Sequence, residues 1–210
     1  QKAGITSVTL PDSLREIKDE AFRLSALTAV TLPEKFETVG TCAFCSADKL
    51  ARIDLGGTIS LGGSAFESTS AKEGVNFRPE LNRLTTIGDF AFSRTAQSSV
   101  TLPDSVTTVG EQAFSESTAL TSFHIGAGVT SFAETALYND RKIATLTVAD
   151  GNPVYSAEHN VLYRKANDGL HLMLSPAANT LTDYTVRAGT VEIGATAFAN
   201  NKTLTRVVLP

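Results

Sequence analysis

Apolar and polar positions alternate in short bursts along this chain, and the bursts return at a near-constant interval. Triplets of the form apolar-x-apolar occur at Val8-Thr9-Leu10, Val30-Thr31-Leu32, Ile53-Asp54-Leu55, Val75-Asn76-Phe77, Val100-Thr101-Leu102, Phe123-His124-Ile125, Leu146-Thr147-Val148, Tyr184-Thr185-Val186 and Val207-Val208-Leu209. A period of two turns the outer residues of each triplet to one face and the middle residue to the other. The pattern predicts nine short strands stacked in parallel as one ribbon with a dry side and a wet side. Proline follows the strand at Pro11, Pro33, Pro103 and Pro210, and one residue later at Pro79. Its missing N–H and fixed φ end the pairing there. A second apolar pair comes next, as in Leu14 with Ile17, Phe36 with Val39, Leu84 with Ile87, Val106 with Val109 and Val129 with Phe132. Glycine then follows at Gly40, Gly62, Gly88, Gly110 and Gly194, where the chain needs either positive φ or a close approach of backbones.

Each unit closes on Ala-Phe: Ala21-Phe22, Ala43-Phe44, Ala65-Phe66, Ala91-Phe92, Ala113-Phe114 and Ala197-Phe198, with Ala136-Leu137 once in its place. A fixed internal period means that each unit cannot bury its apolar face alone and must stack on its neighbours, which is a solenoid. One helical turn is expected to carry Ala-Phe inward. Of the eleven phenylalanines, six occupy this column and Phe36, Phe77, Phe123 and Phe132 fall in other inward columns, which leaves Phe90 unassigned. The period breaks once, between Leu146-Thr147-Val148 and Tyr184-Thr185-Val186. There Val161-Leu162-Tyr163 and Leu170-His171-Leu172 flank Ala166-Asn167-Asp168-Gly169, a tight-turn signal. A β-hairpin standing off the solenoid is expected, either covering interrupted core or shaping one edge of a binding surface. The chain thus reads as a single solenoid domain over 1–210, of about nine strand units, with an irregular hairpin-containing repeat at 150–176.

Composition narrows the partners. With 42% hydrophobic and 19% charged residues, and no apolar run near the ~18 residues of a membrane span, no membrane insertion of this segment is expected. A net charge of -4 without any Lys/Arg run argues against nucleic acid. Cys42 and Cys45 lack the second pair that a four-ligand zinc site needs, and they straddle Ala43-Phe44 rather than head a βαβ helix. They read as two small buried residues, bridged or unbridged. No G-x-S-x-G, H-E-x-x-H or phosphate loop is present, so neither catalysis nor a cofactor is expected. His159 and His171 could share a metal, but their spacing does not demand it, and no metal site is assigned. Asn201-Lys202-Thr203 is a formal glycosylation sequon. The chain opens at Gln1 and stops at Leu209-Pro210, where a further turn would follow. A processed or truncated start, and an array that continues or is capped beyond the end, are expected.

The stretch from Leu102 through Pro103-Asp104-Ser105-Val106 and Val109-Gly110 to Ala113-Phe114, matched nearly as well by Leu10 to Phe22, resembles the BspA-type leucine-rich repeat of bacterial and protist cell-surface proteins. Asn152-Pro153-x-Tyr155-Ser156 followed by Val161-Leu162-Tyr163 is similar to an irregular unit that interrupts such arrays. The resemblance implies a β-rich α/β solenoid, a right-handed leucine-rich superhelix with a parallel strand ribbon and short helical turns. It also implies a secreted or cell-surface location and an adhesion role, with ligands on the concave strand face. On that face the middle residues are mostly threonine, a residue that suits an exposed strand for structural reasons alone. At the centre Arg52, Asp54, Asn76, Arg78 and His124 replace the threonines and their neighbours with groups able to make directional contacts. These five form the candidate binding site, for a protein or glycan partner. A passive spacer displaying another domain is the alternative reading, and an enzyme the third.

Overall fold

A computed structural model describes residues 4–210; Gln1, on which the expectation of a processed start rests, lies outside the described residues. Short parallel strands fall along two lines. One line holds β1 (Glu16–Ile17), β3 (Thr38–Val39), β5 (Ser60–Leu61), β7 (Thr86–Ile87), β9 (Thr108–Val109) and β11 (Ser131–Phe132), paired in that order as one continuous sheet. The other holds β2 (Ala29–Thr31), β4 (Arg52–Asp54) and β6 (Val75–Asn76) in one sheet, and β8 (Ser99–Thr101), β10 (Ser122–Ile125) and β12 (Thr145–Val148) in a second. The remaining strands are β13 (Tyr155–Glu158), β14 (Val161–Ala166), β15 (Gly169–Leu174), β16 (Asp183–Thr185), β17 (Thr190–Ile193) and β18 (Arg206–Val208).

Two expectations about the ribbon need correction. Val8-Thr9-Leu10 enters no ladder, and the other eight triplets divide into β2-β4-β6, β8-β10-β12 and β16-β18 instead of one ribbon. The unbroken ribbon is the other line, whose strands include Ile17, Val39, Ile87, Val109 and Phe132 of the second apolar pairs. The break between β6 and β8 has a local cause. Ala65 and Ala91 are 26 residues apart, against 22 for the units before and after, and the excess forms a 3-10 turn at Pro79–Leu81. Alternation within the strands is as expected: Val30, Ile53, Val100, Phe123 and Leu146 are buried, while Thr31, Asn76, Thr101 and Thr147 are exposed.

The Ala-Phe segments are not helical, so the α component of the expected fold falls away; Pro79–Leu81 is the one helix of any kind among the described residues. In the five regular turns from Ala21-Phe22 to Ala113-Phe114, the residue before Ala and the second after Phe have positive φ, as at Cys42 (54°) and Ser46 (57°). A left-handed residue at each end stops any α-helix from propagating. It also aims alternate N–H groups along the stack: Cys42, Phe44 and Ser46 donate to the carbonyls of Gly63, Ala65 and Glu67 at 2.8 Å each. The same three-bond pattern joins the turn at Ala21 to the one at Ala43, and the turn at Ala65 to the one at Ala91. These coil-to-coil bonds offset the conformational cost of left-handed residues that carry side chains. Phe90 occupies one such position (φ 57°), which is why it fits no apolar column.

Glycine after the second strand serves close approach. A Cβ on Gly110 would lie 2.3 Å from Asp89 Oδ1 and 2.7 Å from the Asp89 nitrogen, and one on Gly62 would lie 2.8 Å from the carbonyl carbon of Gly40. Inside, Phe22, Phe44, Phe66, Phe92 and Phe114 stack face to face at 5.0–5.5 Å. Phe123, Phe132 and Tyr155 continue the aromatic column edge to face.

The irregular unit is built into the core, contrary to the expectation that it stands off. β13, β14 and β15 form an antiparallel meander, with the β14–β15 turn at Asn167-Asp168 and Gly169 carrying the unusual φ (147°), and β15 pairs in parallel with β17. Leu162 and Met173 join the main core, whereas Val161, Tyr163 and Leu172 join a smaller one with Tyr184, Val186 and Ala197. Asn152 ties this unit to the preceding coil. Its Nδ2 donates to the carbonyls of Gly126 (2.9 Å) and Val129 (3.0 Å), and its Oδ1 accepts from the nitrogens of Val154 and Tyr155. The Tyr155 hydroxyl accepts the N–H of Phe132 at 2.8 Å, closing the edge of β11 where the six-stranded sheet ends.

Candidate functional site

Register decides which side chains meet on the strand face. β2, β4 and β6 align Thr31 with Asp54 and Asp54 with Asn76, so those three stand in one row across adjacent strands, and Ala29 pairs with Arg52 in the neighbouring row. Adjacent strands in a sheet lie ~4.8 Å apart, within reach of side-chain hydrogen bonds. Asn76 Nδ2 donates to Asp54 Oδ2 at 3.1 Å, the Gly56 N–H donates to Asp54 Oδ1 at 3.0 Å, and Asn76 Oδ1 accepts the N–H of Arg78 at 3.1 Å.

That last bond helps to hold Arg78 in a left-handed conformation (φ 51°) at the head of the Pro79–Leu81 turn. Its guanidinium faces Asp54 Oδ1 at 3.3 Å, an ion pair without hydrogen-bond geometry, and Glu80 at 3.2 Å. Arg52 is exposed, and its side chain makes no ion pair or hydrogen bond among the described residues. The face therefore holds a hydrogen-bonded acid-amide pair with Arg78 ion-paired against it, its buried Nε without a hydrogen bond among the described residues, beside an exposed Arg52.

Among the open depressions around this row, two reach Asp54, Asn76 or Arg78. One, of 490 Å³, is lined by Thr31, Arg52, Asp54, Glu73 and Asn76 among others. The second, of 630 Å³, lies where the loops leaving the strands rise around Thr31, with Asp12, Arg15, Glu34, Lys35 and Arg78 in its walls. Thr31 lines both. Arg15, Glu34, Lys35 and Glu73 were not among the candidates from sequence, because that reading considered the strand triplets and these side chains belong to the loops. A usable signal was present in the charged residues that follow the strand-ending prolines, Pro11-Asp12 and Pro33-Glu34-Lys35.

His124 is not brought to this cluster. It sits on β10 between Thr101 and Thr147, in the other three-stranded sheet, and its Nδ1 is 2.8 Å from the Thr147 hydroxyl. Of the five candidates, Arg52, Asp54, Asn76 and Arg78 form one neighbourhood and His124 is an isolated member of the same face.

The remaining chemistry-bearing residues have structural surroundings. Cys42 and Cys45 form a disulfide across the Ala43-Phe44 turn. His171 Nε2 is 3.0 Å from Asp168, a bond that holds the Asp168 carboxyl below its usual range, and its Nδ1 lies 2.8 Å from Arg164 and 3.1 Å from Glu192. His159 lies in the β13–β14 turn, where its carbonyl accepts from Asn179. Among the described residues, no group of three or more His, Cys, Asp or Glu side chains is placed to hold a metal ion. Asn201 of the sequon spends its amide on the Pro176 carbonyl and on the nitrogens of Thr203 and Leu204. No helix among the described residues is long and apolar enough to cross a membrane.

Comparison with known proteins places this geometry. The family model described as BspA type Leucine rich repeat region matches in six copies, over residues 1–85 and 85–166. Among curated proteins none matches. A leucine-rich repeat protein from Eubacterium ventriosum is similar in structure, with a TM-score of 0.77 at 23% identity over 87% of this chain and 47% of that one. A leucine rich cell surface protein from Faecalibacterium prausnitzii gives 0.63 at 22% identity, over 92% of this chain and 64% of its own. The pneumococcal vaccine antigen PcpA gives 0.68 at 16%, over 99% of this chain and 64% of its own. At these identities the likeness is one of fold. The chain spans about half the length of the first of these proteins and less than two thirds of the other two.

Proposed function

Because this chain belongs to the BspA-type leucine-rich repeat family, we propose that it is a recognition module of the cell surface or extracellular space. In this reading it performs no catalysis and binds a protein or glycan through the face of β2, β4 and β6. The observation that carries the reading is the contrast within one cluster of side chains. Asp54 and Asn76 are hydrogen-bonded to each other and Arg78 is ion-paired to Asp54, while Arg52 and the two depressions beside them are left open. A preorganised polar set with little rotamer freedom left to lose is what directional recognition of hydroxyls, amides or carboxylates requires. Two structural neighbours, a cell surface protein and a vaccine antigen, support an exposed location. His124 with Thr101 and Thr147 extends the face as a secondary contact.

The test is a binding screen of the chain against extracellular-matrix proteins and glycans, repeated with Arg52→Glu. Arg52 has no partner to lose among the described residues, so its reversal should leave the melting temperature within about 2 °C, as for surface changes worth under ~0.5 kcal/mol, and should weaken capture at least tenfold. Equal capture by Arg52→Glu would move recognition off this face. Capture of nothing by either chain would leave a spacer.

A further inference from the structure

Ser7-Val8-Thr9-Leu10-Pro11 repeats the sequence of Ser99-Val100-Thr101-Leu102-Pro103, yet only the later stretch forms a strand, β8. The earlier one is anchored all the same, because Val8 and Leu10 are partly buried against the main core. No backbone hydrogen bond among the described residues involves positions 5–10. Beside them β2 ends its sheet with an unpaired edge. The Thr28 carbonyl accepts from Ala51 and Arg52, and the Leu32 N–H donates to Asp54, so alternation turns the N–H and C=O groups of Ala29 and Thr31 away from β4. Those four groups meet no hydrogen-bond partner among the described residues.

An open groove of 430 Å³ is walled by both edges, with Thr6, Val8 and Leu10 on one side and Ala29, Thr31 and Leu32 on the other. No residue of β4 lines it, so it lies on the side to which the free groups of Ala29 and Thr31 point. A water takes ~30 Å³ in the liquid, so the groove has room for roughly fourteen water-sized groups, about the heavy atoms of three small residues. Asp12 is the one charged side chain in its walls. The other junctions of this line show what covers such an edge. From β2 to β4, β4 to β6, β8 to β10 and β10 to β12, the covering element is a strand of two to four residues in parallel register. An unpaired edge of this kind is a template for a strand from another chain.

We propose that this groove receives an extended, uncharged segment of a partner protein as an added parallel strand, bonded through its main chain to Ala29 and Thr31. Its apolar residues would pack toward Val8, Leu10 and Leu32, and its polar residues would alternate with them on the wet side. The segment must keep its N–H groups, which excludes proline at the bonded positions. Main-chain pairing supplies the attraction, and the alternation of side chains supplies the selection. The groove adjoins the strand face, since Thr31 lines both, but the assignment does not rest on the role given to Arg52.

The probe is the peptide acetyl-Thr-Ser-Val-Thr-Leu-Thr-amide, which carries the ladder-forming sequence of residues 99–102, titrated to millimolar concentration while amide hydrogen exchange is followed by NMR. Binding should saturate and slow exchange at Ala29 and Thr31 at least tenfold, with 52–57 and 73–83 unchanged. The same peptide N-methylated at Val and Leu, whose N–H groups would face β2, should bind at least tenfold more weakly. Thr31→Pro removes an N–H at the groove without breaking a bond to β4 and should weaken binding to the same degree; if that variant fails to fold, the N-methylated peptide carries the test on the unaltered chain. Arg52→Glu should bind the peptide as the wild type does, which separates a failure here from a failure of the strand-face reading. Absence of saturable binding, or equal binding of the N-methylated peptide, would overturn the assignment. So would exchange at Ala29 and Thr31 already as slow as at Val30 without peptide, which would mean that residues 7–10 close on β2 themselves. Slowing that grows with chain concentration in the absence of peptide would give the groove to a second copy and overturn it equally.

Discussion

Phe114 shows how much one side chain carries in this fold. It is fully buried, stacked on Phe92 at 5.4 Å and met edge-on by Phe123 at 5.0 Å. Phe114→Ala should cost about 3–5 kcal/mol in denaturant unfolding, whereas Phe22→Ala, at the partly buried start of the same column, should cost less than half of that. Asn152→Ala would orphan two buried carbonyls and two N–H groups and should cost about 3 kcal/mol or more. Asp140 gives a pH dependence of definite sign. Its folded value of about 8 exceeds the ordinary 3.8, so its contribution to stability is full below about pH 4 and is lost as pH rises through 8. Asp140→Asn keeps the oxygen that accepts from Ser117 and should gain on the wild type between pH 4 and pH 9, by on the order of 6 kcal/mol in parallel melts. The phenylalanine columns were legible because a buried ring recurs at a fixed interval. Asp140 was not, since within Tyr138-Asn139-Asp140-Arg141 it reads as a solvated turn, and its burial depends on packing by residues more than thirty positions later.

At the level of elements, the strand triplets could be read because three residues suffice for alternation to show. The six-stranded ribbon could not, because each of its strands is two residues long and a period of two needs more than one repeat. The Ala-Phe turns misled for a related reason. Compact apolar spacing suits a helix, yet Glu20, Cys42, Ser64, Phe90 and Gln112 adopt positive φ although none is glycine or asparagine. That choice is made by bonds between coils, which no single repeat contains. Close stacking also explains the glycines: Gly110→Ala would drive a Cβ to within 2.3 Å of Asp89 Oδ1 and 2.7 Å of its backbone nitrogen. It should destabilise by roughly 1–3 kcal/mol, the range for overpacking, in equilibrium melts. Gly74→Ala meets no neighbour within 4 Å, although its φ of 97° is itself costly for a side chain. The hairpin at 166–169 was legible from its turn residues, but its place in the core was not, because Tyr163 and Leu172 find their partners in Tyr184 and Ala197.

Across the whole molecule, the repeating columns build the stack, and the departures from repetition hold the polar groups to which the proposed recognition role is assigned. The 26-residue unit interrupts the strand face, and that interruption sets Arg78 beside Asp54 and Asn76 while leaving His124 in a separate sheet. Hydrogen exchange on the chain, free and bound to whichever partner the binding screen captures, tests this division most directly. The expected result is slowed exchange over 29–31, 52–57 and 73–83, with the Ala-Phe turns at 43–46 and 113–116 unchanged by the partner. Slowed exchange confined to those turns, with the β2-β4-β6 face unaffected, would contradict it.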